Sequence, residues 1–321
     1  MTLDRRLFLA GAGAAALWPR PSFALDAAKL RSALDYAQGR GAGSVRVVLR
    51  GRVVGTAGSQ TAGYDLKSTT KSFGSILLGI ALREGRVSLG DRGESFLDAF
   101  GVPPAGNGPL AGRVTLFQLA THTAGFDQGS PGYVRIAFRP GTAFAYSNSG
   151  ANWLADCLTA AFRRDLAEVF AQRTGVAVTW RANRSHQQRI GGVTSRELSS
   201  GVTTSVEKLA RVGQFVISRG DLVRMGRTPT AIRGLPVRYP SETPGATSHY
   251  GLFWWNNNDG RISGVPKDAF WGWGKGDSIL LIIPSLDLVV ARAGQGWRSG
   301  WSADYSVVGP FFQRVVAAVK A

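Results

Sequence analysis

Ser68-Thr69-Thr70-Lys71-Ser72-Phe73-Gly74-Ser75-Ile76-Leu77-Leu78-Gly79-Ile80-Ala81 is the stretch on which the fold of this chain turns. Phe73, Ile76, Leu77, Ile80 and Ala81 recur at helical spacing, which predicts a buried helix opening at Ser68. Gly85 marks its end, because glycine commonly stops a helix. Residues three apart share one helix face, so the Lys71 amine is expected beside the Ser68 hydroxyl. A serine hydroxyl titrates too high to attack anything at neutral pH without a base beside it. The positive end of a helix also favours negative charge developing at its N-terminus. The alternative is a simple capped helix in which Ser68 only starts the turn.

The same spacing occurs a second time, in Ser205-Val206-Glu207-Lys208. There the flanks explain it. Thr204 with Glu207 reads as a capping box, and Leu209, Val212, Phe215 and Val216 continue as a helix. Ser263 with Lys267 is only a near miss: the lysine is one residue too far, and Gly264 and Pro266 read as loop.

Tyr146-Ser147-Asn148 is the only Tyr-x-Asn in a chain with seven tyrosines. It falls at a junction from loop to helix. One reading makes Asn148 a helix cap beside a buried tyrosine. The other is chemical: a tyrosine hydroxyl near a lysine ammonium has its anion stabilised and can pass protons to and from a serine. Asn148 then either holds Lys71 or binds a substrate carbonyl.

The periodicity along the chain places the remaining elements. Residues 26–38 read as an amphipathic helix, and 44–50 with 52–56 as a hairpin around Gly51-Arg52. Arg86–Leu89 reads as a short strand and 101–112 as a Gly/Pro loop. Thr115 caps a short helix, 125–141 is a second Gly/Pro-rich stretch, and helices follow at 148–162, 165–173 and 204–219. Residues 181–203 look polar and irregular. Tyr250–Trp255, Ile279–Ile283 and Leu288–Ala291 read as strands, with a turn at Asn256–Gly260 and a final helix over 302–320. Strands at both ends with helices between them imply a mixed α/β (α+β) fold. An antiparallel sheet is completed by both ends of the chain, and a helical lobe is inserted at roughly 85–220. No linker divides residues 25–321.

Together these residues resemble the serine β-lactamase-like family on its class C side, with its related esterases and D-amino-acid peptidases. The likeness extends to Leu119-Ala120-Thr121-His122-Thr123-Ala124-Gly125, to the helix end Leu82–Leu89, and to the strand pair Ile279–Val290. It covers about residues 28–318. The resemblance implies a helix-flanked antiparallel sheet and an all-α lobe with the site between them. It implies an acyl-enzyme on Ser68, with Lys71 as proton acceptor or electrostatic partner and Tyr146 as general base and acid. How Lys71 and Tyr146 share the proton stays open. The oxyanion donors would be the Ser68 N–H and one from the strand beginning near residue 277. No metal or organic cofactor is implied.

The third motif departs from the family. Where Lys-Thr-Gly, His-x-Gly or Trp-x-Gly is expected, this chain has Phe270-Trp271-Gly272-Trp273-Gly274-Lys275-Gly276-Asp277. Gly274-Lys275-Gly276 is the best positional match, and with the flanking Trp273 and Asp277 it is the expected substrate-binding stretch. Glycines there suit close approach of substrate backbone, and they suit equally a hairpin turn. The loss of Lys-Thr-Gly weakens the case for a penicillin carboxylate, unless Lys275 points inward to restore charge. Trp254, Trp255, Trp271 and Trp273 read as sheet packing, with one or two of them available to wall an acyl pocket or stack on a sugar.

The totals bound the class. The chain has 321 residues, 44% hydrophobic, enough for one large unit with a real core. Its single cysteine, Cys157, allows no intrachain disulfide and sits on an apolar helix face. Asp4-Arg5-Arg6-Leu7-Phe8-Leu9, the apolar 10–18 and Ser22-Phe23-Ala24 read as a cleavable twin-arginine signal over residues 1–24. The expected location is the periplasm. The net charge is +17; removing residues 1–24 takes three arginines and one aspartate and leaves +15. Export and the scatter of the basic residues argue against nucleic acid as a partner. His122 invites a Ser–His–Asp reading, but no Gly-x-Ser-x-Gly elbow exists and a structural hydrogen bond suits it better. Three scattered histidines give no zinc motif. The expectation is an exported serine hydrolase on an ester, amide or lactam of a small molecule or peptidoglycan-like substrate. Esterase or D-amino-acid peptidase activity is favoured over a dedicated β-lactamase. The alternative is a non-catalytic envelope-binding protein that keeps the fold.

Overall fold

A computed structural model describes residues 25–38, 43–101, 113–128, 132, 134–186, 188–297 and 303–319. The twin-arginine segment, the 102–112 part of the first Gly/Pro loop and parts of the 125–141 stretch lie outside the described residues, as do residues 302 and 320 of the expected last helix. In chain order the elements are α1 (Ala27–Gln38), β1 (Ser44–Leu49), β2 (Arg52–Ala57), β3 (Tyr64–Asp65), α2 (Thr70–Arg83), α3 (Leu116–Ala120), α4 (Asn148–Phe162) and α5 (Leu166–Thr174). Then come β4 (Thr179–Trp180), β5 (Arg189–Ile190), β6 (Val193–Thr194), β7 (Val202–Thr204), α6 (Val206–Ile217) and α7 (Gly220–Met225). The chain closes with β8 (Trp255–Asn256), β9 (Phe270–Gly274), β10 (Ser278–Ile283), β11 (Leu288–Ala293) and α8 (Val308–Val319).

The main sheet is antiparallel throughout, in the order β2-β1-β11-β10-β9-β8, so both ends of the chain build it. Successive side chains in a strand point to opposite faces. Here both faces are covered, which is why Ile279–Ile283 shows no polar alternation. Ile279, Leu281 and Ile283 join a core under α1 and α8, with Leu30, Ala33, Phe311 and Val315. Leu280 and Ile282 join a second core with α2, α4 and α6, through Phe73, Trp153 and Val212. Two smaller sheets, β3-β7-β4 and β5-β6, use short strands before α2 and within the inserted helical region. They account for part of the stretch that read as irregular.

Several boundaries differ from the sequence expectation, each for a local reason. Arg86–Leu89 is not a strand. Gly85 adopts φ +66° and the Arg86 N–H reaches back to the Ala81 carbonyl, so these residues close the helix. Tyr250–Trp255 is not one strand either: of these residues only Trp255 belongs to one, at the start of β8. Phe253 takes φ 61°, and Gly251 N–H bonds the Trp254 carbonyl at 2.7 Å, so the chain folds back before β8. The aromatic run misled because its rings divide between the two cores: Phe253 and Trp254 lie in one, Tyr250 and Trp255 in the other. The cap of α6 is Ser205, whose Oγ accepts the Lys208 N–H; Thr204 is still in β7.

Candidate active site

Ser68 stands at the seam between the sheet and the helical region. The chain enters through Lys67, which takes φ 50°; Asp65 accepts both its N–H (2.9 Å) and its ammonium (2.7 Å). A single 3-10 turn, Lys67–Thr69, then leads into α2, so Ser68 precedes the α-helix by two residues. The hydroxyl of Thr69 donates to the Ser278 carbonyl at 2.6 Å, fastening this turn to β10. Thr70 Oγ1 accepts from Gly201 and Val202 N–H at 3.1 Å, fastening it to β7. Ser68 remains partly exposed between these anchors.

Lys71 is 1% exposed. Its Nζ lies 3.3 Å from Ser68 Oγ, 2.8 Å from Asn148 Oδ1 and 2.8 Å from the Ser199 carbonyl. Asn148 Oδ1 and the Ser199 carbonyl can only accept, so they take two of the amine's hydrogens. The remaining tetrahedral position faces the serine. In the neutral amine that position is a lone pair, placed to take the Ser68 proton. Burial lowers the amine from 10.5 to about 7, with the Glu197 carboxylate pulling the other way. The sequence left Asn148 two roles besides helix capping; the structure has it bonded to Lys71, while Ser147 caps α4.

Tyr146 lies with its ring centroid 4.9 Å from Lys71 Nζ. Burial raises its phenol well above the usual value, and a hydrogen bond with Ser68 opposes that rise. The phenol is therefore protonated at neutral pH. Trp255 stacks on it at 6.2 Å and His122 packs against it at 4.3 Å. His122 Nδ1 accepts the Ser147 N–H at 3.1 Å, which fixes the loop that carries Tyr146. Burial first, and the Lys71 charge second, hold this imidazole neutral.

The third motif divides by strand face. Gly272 and Gly274 point at the turn that carries Ser68. A Cβ on Gly274 would stand 2.2 Å from the Leu66 carbonyl, 3.0 Å from Thr69 N and 3.1 Å from Ser68 N. The backbone of β9 at Gly274 therefore passes directly beside the Ser68 amide. Trp273 points to the opposite core, and its indole N–H donates to Asp277 Oδ1 at 3.1 Å. Asp277 Oδ2 accepts from Trp297 N–H at 3.0 Å. Arg292 clamps the same hairpin by donating to the Gly276 and Asp277 carbonyls at 2.9 and 2.8 Å. Lys275 is exposed at the hairpin tip, and Gly276 supplies the positive φ of the turn. The side chains of Trp273 and Asp277 are thus buried against the hairpin and brace it. Trp254, Trp255, Trp271 and Trp273 are all at most 2% exposed, so none walls an open acyl pocket.

Gly274→Ala is expected to lower stability by about 1–3 kcal/mol, because backbone atoms on both sides must move. Gly272→Ala is expected to cost less, since its nearest neighbour is the Ser72 hydroxyl at 2.6 Å, which can yield by giving up its bond to the Phe253 carbonyl without moving backbone. Urea unfolding of the two variants side by side checks the order.

Sequence reasoning missed three participants. Ser199 acts through its carbonyl, and a carbonyl leaves no signature in side-chain identity. Asn152 sits one turn after Asn148 and accepts the Leu198 and Ser199 N–H groups at 2.9 Å, which aims that carbonyl. The Asn-x-x-x-Asn spacing on one helix face was the available signal. Gly272 was signalled by alternate glycines in an apolar strand. The structure also holds an unexpected Ser–His–Asp constellation. Ser149 Oγ lies 3.2 Å from His186 Nε2, and His186 Nδ1 lies 3.2 Å from Asp156 Oδ2. Ser149 and Asp156 are fully buried, so no substrate reaches this serine. The cluster ties α4 to the 183–195 segment.

A groove of about 710 Å³ at the opposite end of the sheet, by Arg50, Gln214 and Asp287, contains none of these residues. Among the described residues no His/Cys/Asp/Glu group is arranged to hold a metal ion, and no helix is long and apolar enough to cross a membrane.

A family model described as Beta-lactamase matches residues 27–305. No curated protein matches the sequence. Among solved structures, a beta-lactamase from Mycobacterium bovis superposes with a TM-score of 0.67 at 20% identity, covering 90% of this chain and 100% of that one. A penicillin-binding protein homologue from Caulobacter crescentus gives 0.67 at 16% identity, covering 91% and 97%. EstA from Arthrobacter nitroguajacolicus gives 0.62 at 16% identity, covering 87% and 92%. At these identities the structural likeness shows the fold alone.

Proposed function

This chain belongs to the Beta-lactamase family, and on that premise we propose that it is a serine hydrolase working through an acyl-enzyme on Ser68. The observation that carries the reading is the Lys71 amine, sealed from water 3.3 Å from Ser68 Oγ and brought down to about 7. Half of such amines are free bases at neutral pH, which is where a general base works best. Lys71 therefore takes the proton as Ser68 Oγ bonds to the substrate carbonyl carbon. The oxyanion forms against the Ser68 N–H and the backbone beside Gly274. As the tetrahedral intermediate collapses, the bond to the leaving group breaks. The Tyr146 phenol gives that group its proton and recovers one from the Lys71 ammonium. Water then repeats the sequence on the acyl-enzyme and frees Ser68.

The bond attacked is most readily an ester or an unstrained amide. β9 presents glycines, not Lys-Thr-Gly side chains, to the nucleophile, and it offers no buried cation to a lactam carboxylate. Esterase or D-amino-acid peptidase activity follows from this before β-lactamase activity does. The twin-arginine sequence supports export to the periplasm as part of the same proposal.

Protein recovered from the cell envelope and exposed to a fluorophosphonate is expected to gain one probe mass, mapped to Ser68, on a chain lacking residues 1–24. It is expected to turn over p-nitrophenyl acyl esters faster than nitrocefin. A folded protein that takes up no acylating or phosphonylating probe and cleaves no activated ester would favour the envelope-binding alternative.

A further inference from the structure

Glu197 is a buried carboxylate outside the trio named above, 6% exposed. Its Oε1 accepts from the Ser199 hydroxyl at 3.0 Å and the Ser200 hydroxyl at 2.9 Å; its Oε2 accepts from Arg181 Nε at 2.9 Å. Burial pushes this carboxyl up, but the bonds from Arg181, Ser200 and Ser199 outweigh it and hold it below the ordinary value. The group is therefore an anion. The segment it organises is strapped to both helices of the site. Asn152 of α4 takes the N–H groups of Leu198 and Ser199, and Thr70 of α2 takes those of Gly201 and Val202.

We propose that Glu197 is a positioning residue for the Ser68–Lys71 pair: it holds Ser199, whose carbonyl anchors the Lys71 amine, and it sets a fixed negative charge behind that amine. The inference rests on the serine hydrolase reading.

The surroundings of Lys71 leave this role to Glu197. Ser68 faces the amine from the turn before α2, Asn148 from α4, Tyr146 from the loop before α4, His122 from the turn after α3, and Ser199 with Glu197 from the segment before β7. Tyr146 and His122 are neutral at pH 7. Glu197 is the charged group that acts on Lys71, and it raises the amine's hold on its proton. Arg181, with its side chain 42% exposed, sits on the outer side of Glu197 and offsets part of that charge.

The two charges predict opposite displacements of one observable. The probe is a p-nitrophenyl ester, and the readout is the acid limb of kcat/KM, whose midpoint in the wild type is expected near 7. Glu197→Gln removes the anion, so Lys71 loses its proton more easily and the midpoint is expected to fall by about one pH unit. Arg181→Gln exposes the anion, so the midpoint is expected to rise. Glu197→Asp keeps the charge but shortens the reach to Ser199; its midpoint is expected to stay while its plateau rate falls. Displacements of opposite sign do not follow from a purely structural role. Midpoints that coincide in the wild type, Glu197→Gln and Arg181→Gln overturn the proposal. Should Glu197→Gln not fold, Arg181→Gln, at a side chain only partly buried, decides alone. Wild-type protein that is never labelled at Ser68 overturns the serine hydrolase reading instead, so the two failures are distinguishable.

Discussion

Ser68→Ala is expected to abolish covalent labelling and to lower ester turnover by at least about 10⁴-fold, while Ser205→Ala leaves turnover at the wild-type level. Both serines open a Ser-x-x-Lys at the head of a helix, and their surroundings separate them. Ser68 faces a buried amine at 3.3 Å and is partly exposed. Ser205 spends its Oγ on the Lys208 N–H, as an ordinary N-cap does. Removing that cap costs about 1 kcal/mol of stability. Ser68 caps no helix, so its loss is expected to leave the melting temperature close to the wild type. Loss of activity without loss of stability at one site, and the reverse at the other, is a double contrast. Ester assays and thermal melts of the two variants measure it, and equal effects at both sites would sink the assignment of Ser68.

The second large effect is expected at Lys71. Lys71→Met keeps the length and burial of the side chain and removes the base, and kcat/KM is expected to fall by about 10³-fold. The acid limb near 7 is expected to vanish with it, since no other group in contact with Ser68 titrates there. Stability carries an independent signature. The folded-state pKa of Lys71 is depressed, to about 7 from 10.5. Between those values the unfolded chain binds a proton that the folded chain does not, so wild-type stability gains from this group as pH rises through the window. Below about pH 7 both states hold the proton, and the folded protein carries the whole cost of a buried ammonium. The Met variant has no such dependence. The stability difference, wild type minus Lys71→Met, is therefore expected to grow by a few kcal/mol between pH 7 and pH 10. Urea unfolding of both proteins at the two pH values measures it. A pH-independent difference would mean that Lys71 is an ordinary ammonium in the fold.

Much of the site was legible as spacing. Ser68 and Lys71 are one helical turn apart, and geometry within a turn is set by backbone hydrogen bonds, whatever the rest of the fold does. Tyr146 with Asn148 was legible because Tyr-x-Asn occurs once. The third motif was legible only in part. Its glycines announced a close approach, but the sequence could not tell which strand face met Ser68. Ladder register decides that, because moving by one residue exchanges the faces. With Ile279 opposite Trp273 and Leu280 opposite Gly272, the glycines face Ser68 and the tryptophans face α8. Trp273 and Asp277, which read as substrate contacts, became a brace beneath the hairpin for that reason.

By itself, then, the sequence determined what local periodicity controls: most of the helices, the sheet shared between the two ends of the chain, and the one-turn spacing of Ser68 and Lys71. Tertiary structure alone decided the electrostatics. The fall of Lys71 to about 7 comes from burial, and Asn148, Ser199 and Glu197 reach it from 77, 128 and 126 residues away. Desolvation and charge depend on distance in space, and a one-dimensional pattern carries no record of which distant residues close around a single amine.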